Sequence, residues 1–79
     1  MKMSRKIRMQ DVLAILKANG GEMSFMDLLG AMSEKWAITK ATFWSYLEAL
    51  KAEGYIEYPN FYHDIGGPKF NVKLVESTR

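Results

Sequence analysis

The fold is decided by residues 42–56, which read TFWSYLEALKAEGYI. Apolar side chains recur in this stretch at the spacing of one helical face, which predicts a helix with an inward stripe and with Tyr46 on its edge. The inward residues are Phe43, Leu47 and Leu50. Thr39 is the predicted N-cap of this helix, which is expected to reach Glu53 and to end at Gly54. After Gly54 the apolar pattern changes from helical spacing to alternation, which indicates a strand.

Two more helices are predicted upstream. The first, over residues 4–19, has apolar side chains at i, i+3, i+4 and i+7, and two glycines then end it. These apolar residues are Met9, Val12, Leu13 and Leu16. The second runs from an N-cap at Ser24 to about Glu34, with Asp27 in its first turn, where a carboxylate suits the helix dipole. Immediately before it, Met23 and Ser24 are expected to pair as a one-bridge strand.

Two alternating runs follow the helices, at residues 55–58 and 69–74. In the second run one face carries Phe70, Val72 and Leu74, and the other carries Lys69, Asn71 and Lys73. The connector between the runs is rich in proline and glycine and is expected to be a hairpin loop. Three helices followed by a two-stranded hairpin predict an α+β fold. We expect a single domain over residues 1–79, with a basic N-terminal arm at 1–6 and a polar tail at 76–79.

The composition limits the classes of function. Of the 79 residues 48% are hydrophobic, which suffices for one core, and the net charge of +2 is compatible with nucleic-acid binding without requiring it. Cysteine is absent and His63 is the only histidine, so neither a metal site nor a cofactor is predicted. We expect no enzymatic activity, because there is no nucleophile with a plausible base, no phosphate-binding glycine loop and no convergent carboxylate pair. No apolar run approaches the roughly 20 residues that span a bilayer, and a cytoplasmic protein is expected.

The decisive stretch carries a family resemblance. It contains the motif Thr42-Phe43-x-x-Tyr46-Leu47-x-x-Leu50-x-x-x-Gly54-Tyr55-Ile56. This motif resembles the pattern of recognition helix and wing in the winged helix-turn-helix regulators of bacteria and archaea, with the PadR-like and MarR-like families nearest. Residues 21–28, GEMSFMDL, resemble the loop into the second helix of those proteins. The resemblance covers roughly residues 7–75, and in size the chain is similar to stand-alone winged-helix proteins of archaea and their viruses. Two departures are the link at 33–38, which lacks the usual turn glycine, and the lack of a long helix after the wing.

The resemblance implies a transcriptional regulator that places its third helix in the major groove of double-stranded DNA, as a homodimer on a palindromic site. The residues implied to contact DNA are Thr39, Lys40, Ala41, Thr42, Trp44 and Ser45 in the recognition helix, Tyr62, His63 and Lys69 in the wing, and Lys2, Arg5 and Lys6 in the N-terminal arm. No small-molecule effector and no membrane partner are implied.

Several of these residues have a second interpretation. Thr39 is also the expected N-cap, and Lys40 is also interpretable as a solvated lysine. The basic arm is equally interpretable as a frayed start of the first helix. If that helix starts early, Arg5 and Arg8 share one face, because they are three residues apart.

Trp44 and Glu48 lie on the predicted outward arc of the third helix and bear on the function. An outward tryptophan needs a partner, which is DNA, a second subunit or a neighbouring side chain. Glu48 repels phosphate, so only the front half of the helix is expected to face DNA. The alternative function is a winged helix that binds protein in a transcription or replication assembly, which the outward Trp44, the aromatic wing and the modest charge favour.

Overall fold

The computed structural model describes residues 3–59, 63–64, 67–68 and 70–75. The elements in these residues are α1 (Met3–Ala18), β1 (Glu22–Ser24), α2 (Phe25–Lys35), α3 (Lys40–Ala52), β2 (Ile56–Glu57), β3 (His63–Asp64), β4 (Gly67–Pro68) and β5 (Asn71–Leu74). The predicted α+β class is confirmed, because the three helices pack with a three-stranded antiparallel sheet. Within this part of the chain, none of the helices combines the length and the apolar character that crossing a membrane requires.

The boundaries of the second and third helices have local causes in the sequence. Ser24 precedes α2, and its Oγ accepts from the Asp27 amide at 3.1 Å, so the predicted N-cap is confirmed. Thr39 caps α3 in the same way, because its Oγ1 accepts from the Thr42 amide at 3.1 Å. Gly54, at φ +86°, turns the chain from α3 towards β2 in a conformation that residues with a Cβ rarely adopt.

Strand β5 lies at the centre of the three-stranded sheet, between β1 and β2. It is antiparallel to both neighbours, so Lys73 is opposite Glu22 on one side and Glu57 on the other. The expected one-bridge strand at Met23 and Ser24 is a three-residue strand, because β5 pairs with it over its whole length. The connector between β2 and β5 was predicted as a loop and contains a second antiparallel pair, β3 with β4.

The core lies between the three helices and one face of β5. Its buried side chains are Val12, Leu16, Phe25, Leu28, Met32, Phe43, Tyr46, Leu47, Leu50, Ile56, Phe70 and Val72. The inward stripe predicted for α3 is therefore confirmed, and so is the inward face of β5 at Phe70 and Val72. Met9 and Leu13 of α1 pack against this core but remain partly exposed.

Four residues differ from expectation. Trp44 was predicted on the solvent side of α3, but it is partly buried and packs against the core. Tyr46 was predicted at the edge of the stripe and is only 3% exposed. Both differences have the same cause. α1 covers one flank of α3 and residues beside the sheet cover the other, so the buried face of α3 is wider than the apolar stripe predicts. Arg5 and Lys6 were assigned to an N-terminal arm and instead belong to the first turns of α1.

Candidate nucleic-acid interface

The first half of α3 presents an exposed surface of small and polar side chains. Lys40, Ala41 and Ser45 are exposed, as is the N-cap Thr39, and Thr42 is half-buried. Ala41 and Ser45 are four residues apart and therefore share the outward face of the helix. Because both side chains are short, another molecule can approach the α3 backbone closely along this face. We refer to these five residues as the α3 front.

Each of the three hydroxyl groups of the α3 front takes part in a hydrogen bond within the chain. Thr39 Oγ1 accepts from the Thr42 amide and donates to Thr42 Oγ1, at 3.1 Å in both cases. Ser45 Oγ donates to the Thr42 carbonyl at 2.9 Å. The hydroxyls of Thr39 and Ser45 thus already donate to Thr42, whereas the Thr42 hydroxyl accepts a hydrogen bond and can still donate to another acceptor. The side-chain donors that this surface offers are therefore the Thr42 hydroxyl and the Lys40 ammonium.

Trp44 belongs to an aromatic cluster between α3 and the sheet, not to the α3 front. Its ring lies edge-on to those of Phe25 and Phe70, with centroids 5.6 Å away in both cases. The Tyr58 ring is stacked on it at 5.9 Å. Of the three kinds of partner considered for Trp44, neighbouring side chains of the same chain are the ones that it contacts. The sequence did not reveal this, because Tyr58 and Phe70 come from distant positions along the chain.

Glu48 is tied to the residue that follows β2. The Tyr58 hydroxyl donates to Glu48 Oε2 at 3.0 Å, and Lys51 Nζ lies 5.6 Å from the centre of the Tyr58 ring. Burial, reinforced by the hydrogen bond to Glu48 and by its charge, raises the pKa of Tyr58 far above its usual value. The phenol therefore remains a donor at physiological pH. Because the Tyr58 hydroxyl donates to the carboxylate, its repulsion of an anion at the α3 front is weakened.

Two arginines of α1 lie against aromatic rings beside α3. The guanidinium carbon of Arg5 is 5.3 Å from the centre of the Tyr46 ring, and that of Arg8 is 4.8 Å from the centre of the Trp36 ring. Arg8 also donates to the Tyr46 hydroxyl at 3.2 Å. Each cation–π contact is worth about 0.5–2 kcal/mol, which helps to order the first turns of α1. Arg5 is thereby a fixed positive charge on the flank of α3 that carries Tyr46.

Asp11 connects this arginine pair to the end of α2. Trp36 Nε1 donates to Asp11 Oδ2 at 2.8 Å, and the Lys35 ammonium is 3.2 Å from the same oxygen. The hydrogen bond from Trp36 holds the pKa of Asp11 below its usual value; burial opposes this effect and Lys35 adds to it. Arg8 Nε is buried with no acceptor among the described residues. The contacts join α1 to the link between α2 and α3 and so position the start of α3.

The remaining predicted contacts belong to the N-terminal arm and the wing. Lys2, Tyr62 and Lys69 lie outside the described residues, and the backbone of His63 is part of β3 in the connector. Lys6 is exposed on α1. The arginine pair was visible in the sequence only as a spacing of three residues. Its aromatic partners on α3 and on the α2–α3 link were not identifiable there.

Within the described part of the chain, no group of three or more histidine, cysteine or acidic side chains is placed to hold a metal ion. Comparisons with protein families, with curated proteins and with solved structures find no match for this chain. The function is therefore inferred from the chemistry of the α3 front and of its flanks.

Proposed function

We propose that this chain is a winged helix-turn-helix protein that regulates transcription by binding duplex DNA, with α3 as the recognition helix. The order of elements supports the proposal. The four residues 36–39 join α2 to α3, and the paired strands β2 and β5 follow α3. In such a fold the second helix of the pair enters the major groove with its N-terminal residues against the bases.

The observation that carries the proposal is the exposed α3 front. A helix fits the major groove, which is about 12 Å wide, when its outward side chains are short enough for close approach. Ala41 and Ser45 satisfy this condition, and residues 40–47 contain no carboxylate. The backbone amides at the start of α3 add a partial positive charge that favours phosphate.

Each polar residue of the α3 front has a role on DNA. Lys40 donates to a phosphate or to a guanine edge, and the Thr42 hydroxyl donates to a phosphate. Ser45 Oγ, whose proton is used within the helix, accepts from a base amine. Arg5 on one flank of α3 and Lys51 on the other provide charges for the phosphates on the two sides of the groove.

The first test is the salt dependence of binding to a fluorescently labelled random duplex, followed by anisotropy. Wild-type binding is expected to weaken steeply with salt, because each neutralised phosphate releases counterions. Lys40→Ala is expected to lower the slope of log K against log salt by about 0.9, the contribution of one phosphate contact.

The matched control is Lys17→Ala, which removes the same charge from an exposed position in the last turn of α1. It is expected to keep nearly the wild-type slope. If both variants lower the slope equally, the net charge of the protein determines the salt dependence and Lys40 makes no specific phosphate contact. If the wild type does not bind the duplex even at low salt, the DNA function is excluded.

A second test places the same carboxylate at two exposed alanines. Ala41→Glu puts it on the α3 front, where repulsion of phosphate is expected to weaken binding about tenfold or more. Ala14→Glu puts it on α1 and is expected to change binding by less than about threefold, because a surface charge beyond a Debye length of about 8 Å is largely screened. Equal losses contradict the assignment of α3 as the recognition helix.

A second candidate function, binding to another protein, is favoured by a different observation. Tyr55 is 52% exposed beside an apolar groove that α1 and α3 line. Trp44, which favoured this alternative in the sequence, does not support it in the structure, because its ring packs within the chain. The duplex titration distinguishes the two functions.

A further inference from the structure

Glu48 continues the outward face of α3 beyond the α3 front. Ala41, Ser45 and Glu48 have the spacing i, i+4 and i+7, which places them on one side of the helix, and all three are exposed. Ser45 and Glu48 are separated by a rise of about 4.5 Å along α3, and successive base pairs of DNA are separated by about 3.4 Å. The two side chains are therefore close enough to meet neighbouring base pairs in one groove.

A tyrosine holds the Glu48 carboxylate. The Tyr58 hydroxyl donates to Glu48 Oε2 at 3.0 Å, and the Tyr58 ring is itself stacked on Trp44. A carboxylate has about four lone-pair sites, so this hydrogen bond leaves acceptor capacity on Oε1. Glu48 is exposed and lines an open cleft beside α3, so another molecule can reach it. A side chain held in this way loses less conformational entropy on binding than a free one does.

The side chains on this part of the face offer acceptors. Ser45 Oγ donates to the Thr42 carbonyl at 2.9 Å, so its lone pairs are what remain for another molecule. Glu48 contributes carboxylate oxygens, which accept and do not donate. Lys40 and the Thr42 hydroxyl, nearer the start of α3, are donors by contrast. The polarity of hydrogen bonding therefore changes along the outward face, from donors in the first turn to acceptors from Ser45 onward.

We propose that Glu48 determines sequence specificity by accepting a hydrogen bond from the N4 amine of a cytosine in the major groove. The inference rests on the proposed function, because it requires α3 to lie in that groove. Cytosine is the base whose major-groove edge carries a donor and no acceptor. Adenine places the N7 acceptor beside its amine, and guanine and thymine present acceptors, all of which a carboxylate repels. Glu48 therefore favours cytosine and disfavours guanine at the same position.

Tyr58 is a positioning residue, because it acts on specificity through Glu48. Tyr58→Phe removes the hydroxyl and keeps the ring against Trp44. This variant is expected to lower the preference for cytosine over guanine about threefold, since the carboxylate is no longer held, and to keep the affinity for random duplex within about twofold. A purely structural role of the hydroxyl would change the free energy of unfolding and not the base preference. An unchanged preference in Tyr58→Phe would overturn the positioning role.

Charge reversal tests the assignment of Glu48. The wild type and Glu48→Lys each select duplexes from a pool of random sequence, and the bases enriched at each position are compared. At one position the wild type is expected to select cytosine and Glu48→Lys guanine, because a lysine donates to guanine O6 and N7. On duplexes that differ in this base pair alone, the wild type is expected to prefer cytosine about fivefold or more, and Glu48→Lys is expected to prefer guanine by a similar factor.

The matched control is Glu34→Lys, which makes the same change of charge at an exposed position of α2. Both lysine variants are expected to bind random duplex more tightly than the wild type does, because added positive charge favours phosphate. Glu34→Lys is expected to select the same bases as the wild type. Circular dichroism verifies that each variant is folded.

Two results would overturn the inference and leave the proposed function standing. The first is that the wild type and Glu48→Lys bind duplex DNA but select the same base at every position. The second is that Glu34→Lys changes the base preference as much as Glu48→Lys does. A wild type that binds no duplex even at low salt would instead overturn the proposed function, and this inference with it.

Discussion

Replacing Trp44 tests whether this residue stabilises the fold or contacts DNA. Its ring has three aromatic neighbours, Phe25 and Phe70 at 5.6 Å and Tyr58 at 5.9 Å. An aromatic pair contributes about 0.5–1.5 kcal/mol beyond its burial, and truncation of a fully buried tryptophan to alanine costs about 3–5 kcal/mol. Because Phe70 also contacts both other rings and the Trp44 ring is only partly buried, Trp44→Ala is expected to lower the free energy of unfolding by about 2–3 kcal/mol.

The conservative variant separates the two roles. Trp44→Phe keeps a ring against the core and is expected to lose only about 1 kcal/mol of stability. If Trp44 acts within the fold alone, this variant keeps DNA affinity within about twofold of the wild type, since about 0.4 kcal/mol corresponds to that factor. Stability is measured by chemical denaturation followed by far-UV circular dichroism, because Trp44 itself contributes to the fluorescence. Met26→Ala, at an exposed position, is the control and is expected to stay within about 0.5 kcal/mol.

The result that refutes this reasoning is specific. A Trp44→Ala variant that unfolds like the wild type but no longer binds duplex DNA would show that the tryptophan contacts DNA. A variant that is less stable, yet binds normally under conditions where it is folded, agrees with a role in the aromatic cluster.

Two further predictions concern stability. Gly54→Ala is expected to destabilise the protein by about 1–2 kcal/mol, because Gly54 has φ +86°. Gly30→Ala lies in α2, where an added Cβ meets nothing within 4 Å, and is expected to stabilise the protein by up to about 1 kcal/mol. Changes in melting temperature of the same sign for both variants would contradict this argument from backbone conformation. The pKa of Asp11 is lowered in the folded state, so its contribution is present above the unfolded pKa of about 4 and is lost as pH falls through the lower folded value. Asp11→Asn is therefore expected to be less stable than the wild type near neutral pH and to approach it in acid, and a stability difference that does not change with pH in urea titrations would contradict this assignment.

The candidate site was only partly predictable from the sequence. The family resemblance implied contacts at Thr39, Lys40, Ala41 and Ser45, and the structure exposes all four at one end of α3. Their contact with DNA stays a prediction. Trp44 was assigned to the same surface because the helical wheel alone cannot reveal what covers a flank.

The sequence by itself determined the three helices, the caps of α2 and α3 and the alternating runs that contain β2 and β5, because helical and alternating periodicity and capping depend on residues close along the chain. Ser24 and Thr39 cap as predicted, and Gly54 ends α3 by a backbone preference that needs no distant contact. The tertiary structure alone decided which flanks of α3 are covered. Trp44 is enclosed by the aromatic cluster, and Arg5 is held against Tyr46. Such contacts join residues from different elements, so the periodicity of a single element contains no information about them.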